Sequence, residues 1–289
     1  MAEGFSLVNL GKLAEPINTL ITKIANAAGI LYEPTRIRRK ARAEADAELI
    51  TATNQLKLND LSRRALKRFI IEESIKQTNI ENILDKTFPE ISESADPSKL
   101  SNEWLLFFFE RAKCASDNEL QTIWAKILAG ETNNHGSFSK STLRILSEMS
   151  HEDATTFMKV ASFAFKIDDS DHIFLYEFDD EIVKKFGLSF GSVNRLNTLG
   201  LLSCGATFGY MCSELPQNTS AFYNNKEVRI SFKFPKENKI QCGQAILTQS
   251  GRELLKICSP NYSDEIFNYV YSNWKNFSNI ENIDIIEEN

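Results

Sequence analysis

Three histidines and five cysteines are the side chains of this 289-residue sequence best suited to nucleophilic or metal chemistry, so their spacing is the first test of a catalytic role. His135, His151 and His172 stand in no HExxH or HxH arrangement, and no local geometry brings two imidazoles onto one ion. Cys114, Cys204, Cys212, Cys242 and Cys258 contain no CxxC pair. Structural zinc sites draw on such pairs, so the last four make a poor cage. Their odd number, with no secretory signal ahead of them, fits reduced thiols in the cytoplasm. No glycine pair, Gly187 and Gly191 included, is followed by Lys-Ser or Lys-Thr at phosphate-loop distance. His151 falls in Ser150-His151-Glu152-Asp153, where Ser and Asp have capping spacing, and it reads as part of a helix start. The expectation is therefore no catalytic residue, no metal and no cofactor, in a protein that works by binding and assembling.

The sharpest electrostatic feature is Arg36, Arg38, Arg39, Lys40 and Arg42, a cationic cluster in a chain of formal net charge -6. It follows a predicted helix opened by Glu15-Pro16 and closed near Gly29, along which Ile17, Leu20, Ile21, Ile24, Ala27 and Ala28 recur at three-and-four spacing. An apolar stripe must be covered by something. Ile17, Leu20, Ile21, Ile24, Arg36, Arg38, Arg39, Lys40 and Arg42 are accordingly expected to form a partner- or membrane-binding surface. Three readings of the cations stay open: anionic lipid, nucleic-acid phosphate, or a solvated face paired with Glu44, Asp46 and Glu48. The longest apolar run, Trp104 to Phe109, is far short of the roughly 20 residues that span a bilayer. The expected location is the cytoplasm, with a peripheral place at the inner membrane as the alternative.

The composition, 42% hydrophobic and 25% charged, is that of a folded globular chain. Its periodicity suggests a mainly α protein with three parts. Residues 1–95 hold long amphipathic and basic helices, ending in the breaker-rich stretch from Pro89 to Ser98, which reads as an exposed linker. Residues 96–168 form a central helical bundle around Trp104, Leu105, Phe107, Phe108 and Phe109, with a helix from a Ser116–Glu119 capping box to Gly130. Residues 169–289 resemble a winged helix: helices at 180–186 and 192–199, a hairpin with alternating Val228, Ile230, Phe232 and Phe234, a strand at 243–247, and a last helix through Trp274 with a frayed acidic end. Its would-be recognition helix carries a single cation, Arg195, so DNA binding is the weaker alternative and a homo-oligomer or protein partner the stronger expectation.

Two stretches carry a resemblance. Tyr32-Glu33-Pro34-Thr35-Arg36-Ile37-Arg38-Arg39-Lys40-Ala41, with Ala43-Glu44-Ala45, is similar to the N-terminal signature of a bacterial family known only as a domain of unknown function. Trp104 to Lys113, then Ser116-Asp117-Asn118-Glu119-Leu120-Gln121 with Trp124-Ala125-Lys126-Ile127-Leu128-Ala129-Gly130-Glu131, Phe138-Ser139 and Leu143 to Ala154, resemble its second hallmark. A looser likeness around Asp117 to Leu128 and the following helices connects the chain with the abortive-infection protein Abi-alpha. The resemblance implies a bacterial cytoplasmic protein of antiphage defence, with no catalytic residues to carry over.

Overall fold

The structure is a computed structural model that describes residues 11–33, 60–205 and 209–286. It divides into two compact units, Met1–Ser147 and Glu148–Asn289.

The first unit is helical. α1 (Ala14–Ala28) ends on Gly29 at φ 67°, a left-handed cap that a residue without Cβ adopts cheaply. α2 (Asp60–Thr87) is long and breaker-free, and Pro89 follows it at once. α3 (Asn102–Ala112) starts on a Ser101 cap and buries Trp104, Leu105, Phe108 and Phe109. α4 (Asn118–Asn133) and α5 (Lys140–Glu148) complete the unit. The Trp104, Phe108 and Trp124 rings stack and meet edge-on at 5.1–5.2 Å, placing the aromatic block in the core as expected. Two boundaries differ from the sequence reading. The α4 cap is Asp117, whose carboxylate accepts from the Glu119 and Leu120 N–H groups at 3.0 and 2.9 Å. Gly130 lies inside α4, whose last turn runs on to Asn133. Nor is Pro89–Ser98 a boundary between units: it belongs to the first one, with Ile91 and Pro97 buried.

The second unit is α+β with a five-stranded sheet, which overturns the mainly α expectation; of the described residues 54% are helix and 19% strand. β1 (Ala164–Ile167) and β2 (Ser170–Ile173) form a hairpin joined by β5 (Asn218–Tyr223), β6 (Lys226–Phe232) and β9 (Ile280–Ile286) in a five-stranded antiparallel sheet of order β2-β1-β5-β6-β9. Two short ladders accompany it: β3 (Leu202–Cys204) with β8 (Ala245–Leu247), and β4 (Tyr210–Leu215) with β7 (Asn238–Gly243). The winged-helix reading fails here for a physical reason. β5 and β6 pair as a hairpin, but instead of standing apart as a wing they lie inside a sheet begun by β1 and finished by β9. β1 was hidden as the end of a helix, and β9 as a frayed tail. Val228, Ile230 and Phe232 alternate inward and are fully buried, whereas Phe234 lies beyond the strand and is exposed.

Helices α6 (His151–Ala161), α7 (Glu181–Lys185), α8 (Phe190–Leu199), α9 (Gln249–Leu255) and α10 (Asp264–Lys275) accompany the strands. Phe165, Phe174, Tyr223, Phe267 and Trp274 meet ring against ring, tying α10 to the sheet. The capping box of Ser150 and Asp153 is formed as read, with His151 in the first turn of α6.

Candidate interaction surface

The opening stripe is interior. Ile17, Leu20 and Ile24 are buried, Ile21 is half-buried, and α1 packs on α3 and on the 3-10 turn Pro97–Lys99. The Lys23 ammonium donates to the Ser98 carbonyl at 3.1 Å, fixing the same contact. The stripe that needed a partner thus finds one within its own unit, and this corrects the sequence reading for those three side chains. Arg36, Arg38, Arg39, Lys40 and Arg42 lie outside the described residues.

What stands uncovered is the first half of α2. Its second half is anchored: Ile80, Ile83 and Leu84 are buried, with α4 the main neighbour of the helix. A buried amide pair reinforces the anchor. Asn79 donates to the Lys113 carbonyl at 3.0 Å and to Ser116 Oγ at 3.2 Å, while Gln121 donates to Asn79 Oδ1 at 3.3 Å and to the Ala115 carbonyl at 2.9 Å. Ahead of that anchor, Leu61 is 69% exposed, Phe69 60%, and Ile71 and Ile75 50% each. Arg63, Arg64, Lys67 and Arg68 are exposed among them. Arg64 pairs with Asp60 at 3.2 Å, Arg68 with Glu72 at 3.6 Å and Lys76 with Glu73 at 2.7 Å, all within the helix. Single exposed apolar residues are ordinary, but four large ones on four turns of one helix make this the candidate surface. The sequence reading counted this stretch among the long amphipathic and basic helices of residues 1–95 without assigning it a role. The signal was that Ile71 and Ile75 fall on another side of the helix from Leu66 and Ile70, too broad a spread for one buried stripe.

The hallmark residues of the central region meet around Phe138. Trp104 Nε1 donates to the Phe138 carbonyl at 2.8 Å, and the buried Glu131 carboxylate accepts from the Gly136 and Phe138 N–H groups at 2.7 and 2.9 Å. A Cβ on Gly130 would fall 2.7 Å from the Phe138 ring. These side chains fasten the loop between α4 and α5, a structural task. The family model described as Protein of unknown function (DUF2806) matches residues 63–271, well over half of the chain. The chain belongs to this family. The matched span contains the Phe138 clamp, the exposed half of α2 from Arg63 onward and the sheet up to β6, but neither α1 nor the Tyr32–Ala45 signature. No curated protein and no solved structure matches the chain.

The residues fit for chemistry are dispersed. His135 Nε2 sits 3.0 Å from the Asp96 carbonyl, in the first unit. In the second, Cys212 Sγ lies 3.5 Å from His172 Nε2. Burial pushes the Cys212 thiol up to about 11. Burial, then the Arg252 cation, push the His172 imidazole below its ordinary value. Both groups are therefore held neutral near pH 7, which is the reverse of an activated thiolate–imidazolium pair. Among the described residues no group of three or more His, Cys, Asp or Glu side chains is placed to hold a metal, and no helix is long and apolar enough to cross a membrane. Arg195, the lone cation of α8, is bound to Asp153 at 3.1 Å.

Proposed function

We propose that this DUF2806 protein acts without catalysis, by association through the exposed first half of α2, in antiphage defence of the abortive-infection type. The observation that carries the associative part is the run of Leu61, Phe69, Ile71 and Ile75 left in solvent among four cations. Its exposure costs solubility, and none of the described residues of the first unit covers it. The defence part rests on the likeness of Asp117 to Leu128 and the following helices to Abi-alpha. Both are tested in cells that carry the gene. Wild type lowers phage plating, and Phe69→Glu, a surface change, abolishes the protection at unchanged protein level. Unchanged plating of a diverse phage panel by the wild type overturns the defence reading.

Arg63, Arg64, Lys67 and Arg68 also support a second reading, contact with nucleic-acid phosphate. Four such contacts would give DNA retention that falls with salt at a log–log slope of about −3 to −4. A flat salt response removes it. The α8 helix adds little to that reading, because its one cation is already spent on Asp153.

A further inference from the structure

We infer that the occupant of the exposed half of α2 is a second copy of this chain, laid antiparallel across a two-fold axis level with Ile70; this rests on the associative reading above. The order of charges along the helix carries the inference. Arg63, Arg64, Lys67 and Arg68 precede the acidic pair Glu72 and Glu73. A parallel copy sets like charge beside like charge. An antiparallel copy centred level with Ile70 sets Lys67 and Arg68 of each helix level with Glu73 and Glu72 of the other, leaving Arg64 level with Lys76.

The register follows from positions alone. Arg68 and Glu72 stand equally far on either side of Ile70, so the two-fold brings each Arg68 level with the other copy's Glu72. At about 100° per residue the two fall near the middle of one face, with Leu61 between them in angle. Phe69 flanks that face on one side and Ile71 on the other, so each meets its own symmetry mate and the apolar residues enclose the charge pairs. Within one chain the Arg68–Glu72 pair is open to water at 3.6 Å, with Glu72 half exposed, and it can exchange partners at small cost. With the two-fold at Ile70 the exposed residues that overlap are 64–76, roughly 20 Å of helix, because Leu61 falls level with the other copy's buried Asn79. A contact of that length is at the small end of specific interfaces, so the association is concentration-dependent.

Sedimentation equilibrium of the intact chain, from low micromolar to high micromolar protein, reads this directly. Wild type moves from one chain mass to two. Arg68→Glu and Glu72→Arg each shift the midpoint at least tenfold upward in concentration, and the double exchange Arg68→Glu with Glu72→Arg restores it. Circular dichroism confirms equal helix content in all four proteins. A wild type that stays at one chain mass throughout overturns the pairing, as does a dimer indifferent to both single changes. The two proposals separate in the plating assay. If the chain is monomeric and Phe69→Glu still abolishes protection, the surface works on another partner, including residues 34–59 of its own chain. If Phe69→Glu protects as wild type does, the associative reading itself fails.

Discussion

Asp153 shows how one side chain can be read from sequence in its local role and missed in its larger one. The capping box with Ser150 was legible from spacing: Ser150 N–H donates to the Asp153 carboxylate at 2.9 Å, and Asp153 N–H donates back to Ser150 Oγ at 3.1 Å. The bond from Arg195, 42 residues on, was not legible, because no local period records it. Burial raises the Asp153 carboxyl, but the hydrogen bonds from Arg195 and Ser150 outweigh it and hold the group below the ordinary carboxylate value. A carboxyl depressed on folding adds stability that is present above its unfolded value, about 3.9, and is lost as pH falls through the folded one. Asp153→Ala should therefore cost about 2 kcal/mol in urea unfolding at pH 7, and the gap to wild type should close as the pH is taken below about 4. A gap that does not change with pH would mean that the charge is irrelevant there.

Among the elements, helices with caps and clean three-and-four spacing were readable: α1 closes on Gly29 and α6 opens on Ser150 as their residues dictate. The strands were harder. β1 carries only Phe165 and Ile167 and is a strand because β2 and β5 pair with it on both sides, whereas β9, isoleucines spaced among acids, is one because β6 offers an edge. Gly243 marks a junction of that kind. It sits at φ 106° against a parallel bridge to Leu175, and a Cβ there would fall 1.9 Å from the Leu175 carbonyl oxygen. Gly136, at φ 81°, has open space around the same atom. Gly243→Ala should cost about 3 kcal/mol, since both backbone and neighbour object, and Gly136→Ala about 1 kcal/mol from backbone strain alone. Thermal unfolding of the two variants checks this, and equal losses would contradict the close approach at Gly243.

At the scale of the whole molecule, function was less legible than fold, and α1 explains why. Periodicity shows that a stripe exists but not what covers it. Ile17, Leu20 and Ile24 looked like a docking face and are core, whereas Leu61, Phe69, Ile71 and Ile75 looked like part of a long amphipathic helix and stand in water. The difference lies in tertiary context: α3 and the Pro97–Lys99 turn lie against α1, and the body that anchors α2 ends its hold near Asn79. The chain as a whole is acidic, yet Arg63, Arg64, Lys67 and Arg68 gather on this exposed segment, a charge contrast that would steer a like chain or another anionic partner toward it. Amide hydrogen exchange of the intact protein, followed peptide by peptide at low and high concentration, addresses that segment without altering a residue. Peptides covering residues 63–76 should become slower to exchange as concentration rises, while those of α1 and α4 stay unchanged. Rates for residues 63–76 that ignore concentration, or slowing confined to residues 14–28, would contradict association through that segment.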